Sequence, residues 1–368
     1  MRIAIVHDYL CGMGGAERVF QYICEEFEEA DVYALAYNPD GCLPYFKSRT
    51  INTTWMNSFI RTMDAFRWSF PLATKVMGIL DLSHYDVVLS SSASVAKYVR
   101  VAHGRHLCYC YIPTRALWQT SEYFGTGLKA WIIRPFLTYL RRQDYAAAQR
   151  VDQFIAISEV TKEQIAATYH RDSKIIFSPI DLTRFAPSQS RGDHFLIVSR
   201  LEKWKRVEYA IEAFNRLGLR LRVIGTGSEE AHLKKIAGSN ITFLGPVDDE
   251  ALAREYALAK AVVFTPYLEY GLIPLEANAS GTPVICYGKG GVTETMIPWQ
   301  SKSGRYGATA LFFHEQTAHA LARAVEQFER AEFNPEFLVT HASRWGVPAF
   351  RQQIRSAVMA AAKCETSC

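Results

Sequence analysis

The sequence predicts an α/β protein built from two doubly wound domains, each a parallel sheet covered by helices. Three observations carry this expectation. Short apolar runs of the buried-strand kind alternate with amphipathic helical segments through both halves of the chain. The stretch 179–192, with Pro187, Ser188, Ser190 and Gly192, has the composition of a linker. Finally, 368 residues at 49% hydrophobic and 21% charged are enough for two separate cores. These place a first domain at 1–186 and a second at 193–345. A final helical segment, about 346–368, is free to pack back on the first domain.

In the first domain, Ile3 to Val6 reads as a buried strand, followed by the loop HDYLCGMGGAE. A helix follows in which Val19, Phe20, Ile23 and Phe27 recur at helical spacing. Gly12, Gly14 and Gly15 thus sit between a first strand and a first helix. A dinucleotide-binding fold also places glycines there, but this spacing is G-x-G-G and Asp31 is a poor match for its ribose carboxylate. Asp86 to Ser91, His106 to Tyr111, Phe154 to Ser158 and Lys174 to Ser178 read as further strands. Segments 52–77 and 129–142 interleave aromatic residues with cations. From 45 to 150 there are 14 Lys or Arg against 5 Asp or Glu, so charge is segregated. Arg61, Arg67, Lys75, Arg134, Arg141 and Arg142, with Trp55, Trp68 and Trp131, would suit an anionic membrane surface; the same aromatics would equally serve as core.

In the second domain the strand FLIVS runs into Arg200 and then a helix carrying Val207, Ile211 and Phe214 on one face. Arg200 and Lys205 therefore leave a strand end and a helix entrance, where cations are either solvated surface groups or ligands for phosphate. LRVIG meets Gly225 and Gly227, and ITFLG and AVVFT continue the alternation. The stretch 269–294 is the focus. Tyr270 to Ile273 reads as a glycine-containing loop, Pro274 as a helix start, and Gly281 as its stop. The free N–H groups at such a start, Gly271, Leu272 and Ile273 among them, favour phosphate. Glu276 in the first turn would accept two ribose hydroxyls, and Gly288 to Gly291 form a second backbone-exposing loop.

The eight cysteines lack metal-site spacing, and Cys108 with Cys110 reads as strand core. No paired D-x-D motif offers metal ligands. Met1 leads directly into a strand and no run is apolar enough to span a bilayer, so a cytoplasmic protein with reduced thiols is expected. A net charge of +4 disfavours a dedicated nucleic-acid binder.

The combination SRLEKWKR, VIGTGSE, FLG and EYGLIPLEANASGTPVICYGKGGVTET resembles the C-terminal domain of glycosyltransferase family 4, retaining enzymes of the GT-B fold. HDYLCGMGGAE, YCYIPTRALW and AQRVDQFIAISE resemble the bacterial polysaccharide mannosyltransferases of that family, so the likeness runs from Met1 to about Arg355. It implies two Rossmann-like domains facing a central cleft that holds a sugar nucleotide. By resemblance, Arg200 and Lys205 bind the diphosphate and Glu276 the ribose. The backbone of Gly14 and Gly15 closes over the phosphates, and Gly225, Gly271, Leu272 and Ile273 line the donor site. No metal or cofactor is implied. The chain departs from the pattern twice. The family's first glutamate precedes its second with seven residues between; Leu268 holds that position and Glu269 is one residue on. The family's middle-strand histidine is replaced by Tyr111, which cannot share protons near neutral pH. Asp8 is then the nearest carboxylate for an acceptor hydroxyl, or else a loop cap.

The resemblance implies transfer of a hexose, foremost mannose from GDP-mannose, to a polysaccharide or polyprenyl-diphosphate-linked saccharide, by an enzyme on the inner face of the cytoplasmic membrane. A non-catalytic sugar-nucleotide-binding subunit is the alternative.

Overall fold

The computed structural model describes residues 1–119, 128–300 and 307–363. The side chains of Lys129 and Trp131, together with Cys364 and Cys368, lie outside the described residues. The chain forms two compact units, Met1–Ser178 with Pro348–Cys368, and Pro179–Val347. The division falls at 178/179, whereas composition placed the end of the first domain at 186. Residues just past 178 are committed to the second unit: the Ile180 N–H donates to the Trp345 carbonyl at 2.9 Å, and Arg184 pairs with Asp249 at 2.5 Å. The Phe185 ring also packs edge-on to Tyr256.

The first unit contains β1 (Ile3–His7), α1 (Gly15–Glu26), β2 (Asp31–Ala34), β3 (Ile51–Thr53), α2 (Met63–Ile79), β4 (Val87–Ser92) and β5 (Arg105–Cys110). It continues with α3 (Arg115–Trp118), α4 (Leu128–Gln149), β6 (Gln153–Ala156), α5 (Glu159–Tyr169) and β7 (Ser173–Ile175). Its seven strands are parallel in the order β3-β2-β1-β4-β5-β6-β7, so chain direction across the sheet reverses between β1 and β4. Strands β2 and β3 have no counterpart in the sequence reading. Each is short, and DVYA and INT lack the apolar run that marked the others. Cys108 and Cys110 are buried with Phe154 and Tyr169 in a core cluster.

The second unit contains β8 (Phe195–Val198), α6 (Val207–Leu217), β9 (Leu221–Ile224), α7 (Glu230–Ile236), β10 (Ile241–Gly245), α8 (Asp249–Leu258) and β11 (Val262–Phe264). Then come α9 (Leu272–Ala279), β12 (Val284–Tyr287), α10 (Val292–Thr295), β13 (Ala310–Phe313), α11 (Ala318–Phe328) and α12 (Pro335–Ala342). Its parallel order is β10-β9-β8-β11-β12-β13, reversing between β8 and β11. The last helix, α13 (Val347–Lys363), returns to the first unit. Phe350, Ile354 and Val358, four residues apart, are buried, and Arg351 and Arg355 pair with Glu25 and Glu26 of α1.

A buried ion pair ties the first unit together. Asp144 of α4 meets Lys97 at 2.7 Å, with side chains 0% and 2% exposed. Its carboxylate also accepts from Tyr98, Thr114, Trp118 and Tyr169 at 2.7–2.9 Å. Burial pushes this carboxyl upward, but the Lys97 ammonium and these hydrogen bonds outweigh it and hold it below the usual carboxylate value. Replacing Asp144 by Asn should therefore cost about 3–5 kcal/mol, because a buried ammonium is left unpaired. The wild-type contribution is present above the ordinary carboxylate pKa and is lost as pH falls through the lowered folded value. Urea unfolding at neutral and acid pH checks both, and a difference that does not shrink in acid would refute the assignment.

Candidate active site

At the C-terminal edge of the second sheet, four loops lie backbone against backbone. Gly225 (φ 122°) follows β9, and a Cβ there would sit 1.9 Å from the Ser199 carbonyl oxygen. A Cβ on Gly227 would meet the Leu201 carbonyl at 2.3 Å. Only glycine admits these approaches. The contact is cemented by Ser199 N–H to the Ile224 carbonyl, Leu201 N–H to that of Thr226, and Glu229 N–H to that of Leu201, at 2.8–3.0 Å. The loops after β11 and β12 repeat the device. A Cβ on Gly290 (φ 84°) or Gly291 would lie 2.5 Å from the Leu268 carbonyl or 2.0 Å from that of Glu269.

The first loop presents the cations. Arg200 is exposed, and its guanidinium carbon lies 6.0 Å from the centre of the Trp204 ring; the Lys205 ammonium stands 4.1 Å over the same ring. Trp204 is thus a shared platform for the two side chains assigned to phosphate. The signal for it in the sequence is an aromatic between cations in RLEKWKR. The Lys205 carbonyl accepts from Thr265 Oγ1 at 2.7 Å, which pins the loop of β8 to the end of β11 at the reversal of strand order.

Helix α9 begins at Leu272, two residues before the expected start, with Gly271 as its N-cap. Pro274 is tolerated as the third helical residue because no intrahelical acceptor awaits its missing N–H. Glu276 consequently lies in the second turn, a correction to its expected place in the first. The Tyr256 hydroxyl donates to its carboxylate at 2.8 Å, and Tyr256 is wholly buried. Burial, then the neighbouring Glu276 charge, drives this phenol well above its usual pKa, so it stays a donor and orients the carboxylate. Glu269 is 5% exposed and Gly271 is buried beside it, with a Cβ at 271 falling 3.2 Å from the Phe264 ring.

In the first unit, polar groups expected at the site are already engaged. Asp8 is 3% exposed and accepts from the N–H groups of Ala93, Val95 and Ala96 at 2.6–2.7 Å and from Ser92 Oγ at 3.2 Å. This corrects its assignment as a catalytic carboxylate: it anchors the turn after β4. The Gly14 N–H donates to Glu17 of the same helix at 3.0 Å, so it is not open to phosphate as expected; Gly15 opens α1. The Tyr111 hydroxyl donates to the Ala16 carbonyl at 3.0 Å and lies 2.9 Å from Ser91 Oγ, which is 3.1 Å from His7 Nδ1. His7, Glu17, Ser91 and Tyr256 were not singled out in the sequence. Only the G-G-A-E order, a helix start with an acid in its first turn, held a signal for one of them.

Two parallel sheets, each with one reversal of strand order, define a two-domain α/β protein of the GT-B type. The profile described as Glycosyltransferase Family 4 matches residues 13–184, and that of Glycosyl transferases group 1 matches 182–345. The chain belongs to glycosyltransferase family 4. It is 20% identical to the alpha-1,3/1,6-mannosyltransferase ALG2 of Candida glabrata, over 96% of this chain and 90% of that protein. The Homo sapiens ALG2 is 26% identical over 77% and 79%. Among solved structures, a sucrose-phosphate synthase from Thermosynechococcus elongatus superposes with a TM-score of 0.72 at 17% identity, covering 97% and 98%. Anabaena Alr3699/HepE in complex with UDP and glucose gives 0.71 at 17%, covering 98% and 99%.

Replacing Gly225 by Ala should displace the loop that carries Arg200 and weaken nucleotide binding by about tenfold or more, since misplacements near 1 Å are felt at such sites. Gly218→Ala, at a left-handed position with no atom within 4 Å of the added carbon, is the control for strain without collision. Calorimetry on both would reject the loop-stacking account if the two lost affinity equally.

Proposed function

We propose that this glycosyltransferase moves mannose from GDP-mannose, with retention at the anomeric carbon, onto a polysaccharide or lipid-linked oligosaccharide. One observation carries the reading of the site: Arg200 and Lys205 are held on Trp204 at the strand-order reversal of a sheet whose α9 begins with unpaired N–H groups. When a nucleoside diphosphate departs, negative charge develops on the leaving oxygen. Fixed cations and a helix N-terminus stabilise it there. Glu276, oriented by Tyr256, is the ribose acceptor, and Gly225, Gly271, Leu272 and Ile273 supply backbone to the donor. Glu269 faces the transferring sugar. Mannose is favoured by the names of the ALG2 relatives, while UDP, bound by Alr3699/HepE, is the competing nucleotide.

Glu276→Ala should weaken GDP binding by roughly 1–3 kcal/mol, about five- to 150-fold, and Tyr256→Phe by less, since it removes one neutral donor. Calorimetry with GDP and UDP is the measurement; unchanged affinity in Glu276→Ala sinks the ribose assignment. Turnover of a panel of nucleotide sugars then fixes the donor, and product NMR the anomeric outcome. Transfer from UDP-glucose and not GDP-mannose would overturn the donor.

The reaction is proposed to run without metal. Among the described residues, Glu208, Glu229 and His232 bring ligand atoms within 4.8 Å of one another, on a partly exposed surface. If that cluster plays no part in transfer, EDTA should leave turnover unchanged; loss restored by Mg²⁺ or Mn²⁺ would refute the metal-free reading.

A second reading, a sugar-nucleotide-binding subunit without transfer, is favoured by Tyr111, whose hydroxyl proton is spent on the Ala16 carbonyl. It requires that wild type bind nucleotide without turnover and that Tyr111→His gain it. Turnover by the wild type rejects it.

A further inference from the structure

Helix α2 is apolar on two sides. Phe66, Phe70, Ala73 and Met77 face the core, as an amphipathic helix requires. Trp68, Leu72, Lys75 and Ile79, at the same i, i+4, i+7, i+11 spacing, form a second stripe in water, with Trp68 89% and Ile79 70% exposed. Helix α4 adds exposed Phe136 and Tyr139. Leu72, Lys75, Ile79, Phe136 and Tyr139 line one surface groove of about 520 Å³. Ten large hydrophobic side chains are exposed among the described residues. Seven of them lie on α2, α4 or the turn at 55–59, a concentration that singly scattered surface residues do not show.

Among the described side chains of these segments the exposed charges have one sign; the side chain of Asp64, also on α2, lies outside them. Arg61, Arg67, Lys75, Arg134 and Arg142 are exposed, while the one carboxylate described on these segments, Asp144, is buried against Lys97. Arg141 does not belong with them, contrary to expectation: its Nε donates to the Leu117 carbonyl at 2.6 Å and its guanidinium lies over Trp118. A second copy of the chain would bring this face against its own cations. An anionic bilayer would instead pair those cations with phosphates and take up the apolar stripe.

We propose that the α2–α4 face of the first unit is a docking surface for an anionic lipid bilayer. Trp68, Leu72 and Ile79 enter the interface, and Lys75 with its neighbouring arginines engages the headgroups. The surface involves no residue of the candidate active site. Attachment is peripheral: among the described residues no helix is long and apolar enough to cross a membrane.

The test is co-sedimentation of the full chain with phosphatidylcholine vesicles and with phosphatidylglycerol-containing vesicles, at low and high salt. Binding should favour the anionic vesicles and fall at high salt, where the screening length drops from about 10 Å toward 3 Å. Charge reversal at Lys75 and Arg142 should lower anionic binding by about fivefold or more per residue. The double variant Trp68→Glu, Ile79→Glu should abolish binding. Both side chains are exposed, so its melting temperature should match wild type. Equal binding to both vesicles, or binding intact in the double variant, overturns the proposal. So does a lipid-free dimer that the same variant dissolves. Vesicle binding is read without turnover, so failure of the glycosyl-transfer reading leaves this result standing.

Discussion

The second unit depends on the close stacking of loops that glycine permits at the ends of β8, β9, β11 and β12. A methyl group at Gly225 would meet the Ser199 oxygen at 1.9 Å, far inside any tolerable contact, and Ser199 immediately precedes Arg200. The backbone that leads into Arg200 is thus set by a glycine after the neighbouring strand. Gly291 stands in the same relation to Glu269, at 2.0 Å from its carbonyl. The backbone of a residue one position off the family pattern is therefore held by this close approach.

The two sheets use their strand ends differently. In the first unit the Ala16 carbonyl can only accept, so Tyr111 donates to it; Ser91 must then donate to Tyr111 and accept from His7 Nδ1. The chain of donors runs one way, from imidazole to helix. Burial lowers the His7 pKa, which keeps the ring neutral with its proton on Nδ1. Together with the four donors on Asp8, this leaves a strand edge whose polar groups are consumed in holding loops. In the second unit the exposed Arg200 and the start of α9 keep their charge and dipole available.

The alternation of strands and helices, and the glycines at strand ends, could be read from the sequence because each is a local signal. What escaped was set by distant partners. Asp8 finds its donors 84 to 88 positions away, and Tyr111 finds Ala16 95 positions away, so neither engagement leaves a mark in spacing. Glu276 was misplaced by one turn for a different reason. Pro274 marks a first helical residue by sequence alone, yet proline fits anywhere in the first turn, and Leu272 and Ile273 carry no feature that forbids helix. The domain boundary moved because linker composition says nothing of Phe185 finding Tyr256. Arg141 counted as a surface cation for the same reason: its acceptor, the Leu117 carbonyl, is 24 residues away.

The contrast between α1 and α9 favours one place for the proposed diphosphate. Both helices begin after a glycine at the C-terminal end of a parallel strand, and both starts carry partial positive charge. In α1 the third helical residue is Glu17, whose carboxylate sits on the Gly14 N–H at 3.0 Å and supplies the negative charge that site favours. A phosphate arriving at Gly14 would have to displace that carboxylate or stand against it, two like charges within hydrogen-bond distance. Helix α9 has no acid in its first turn, and Pro274 leaves its unpaired donors to Gly271, Leu272 and Ile273. The helix lacking its own anion is the one suited to the substrate's, and it lies in the unit that also carries Arg200 and Lys205.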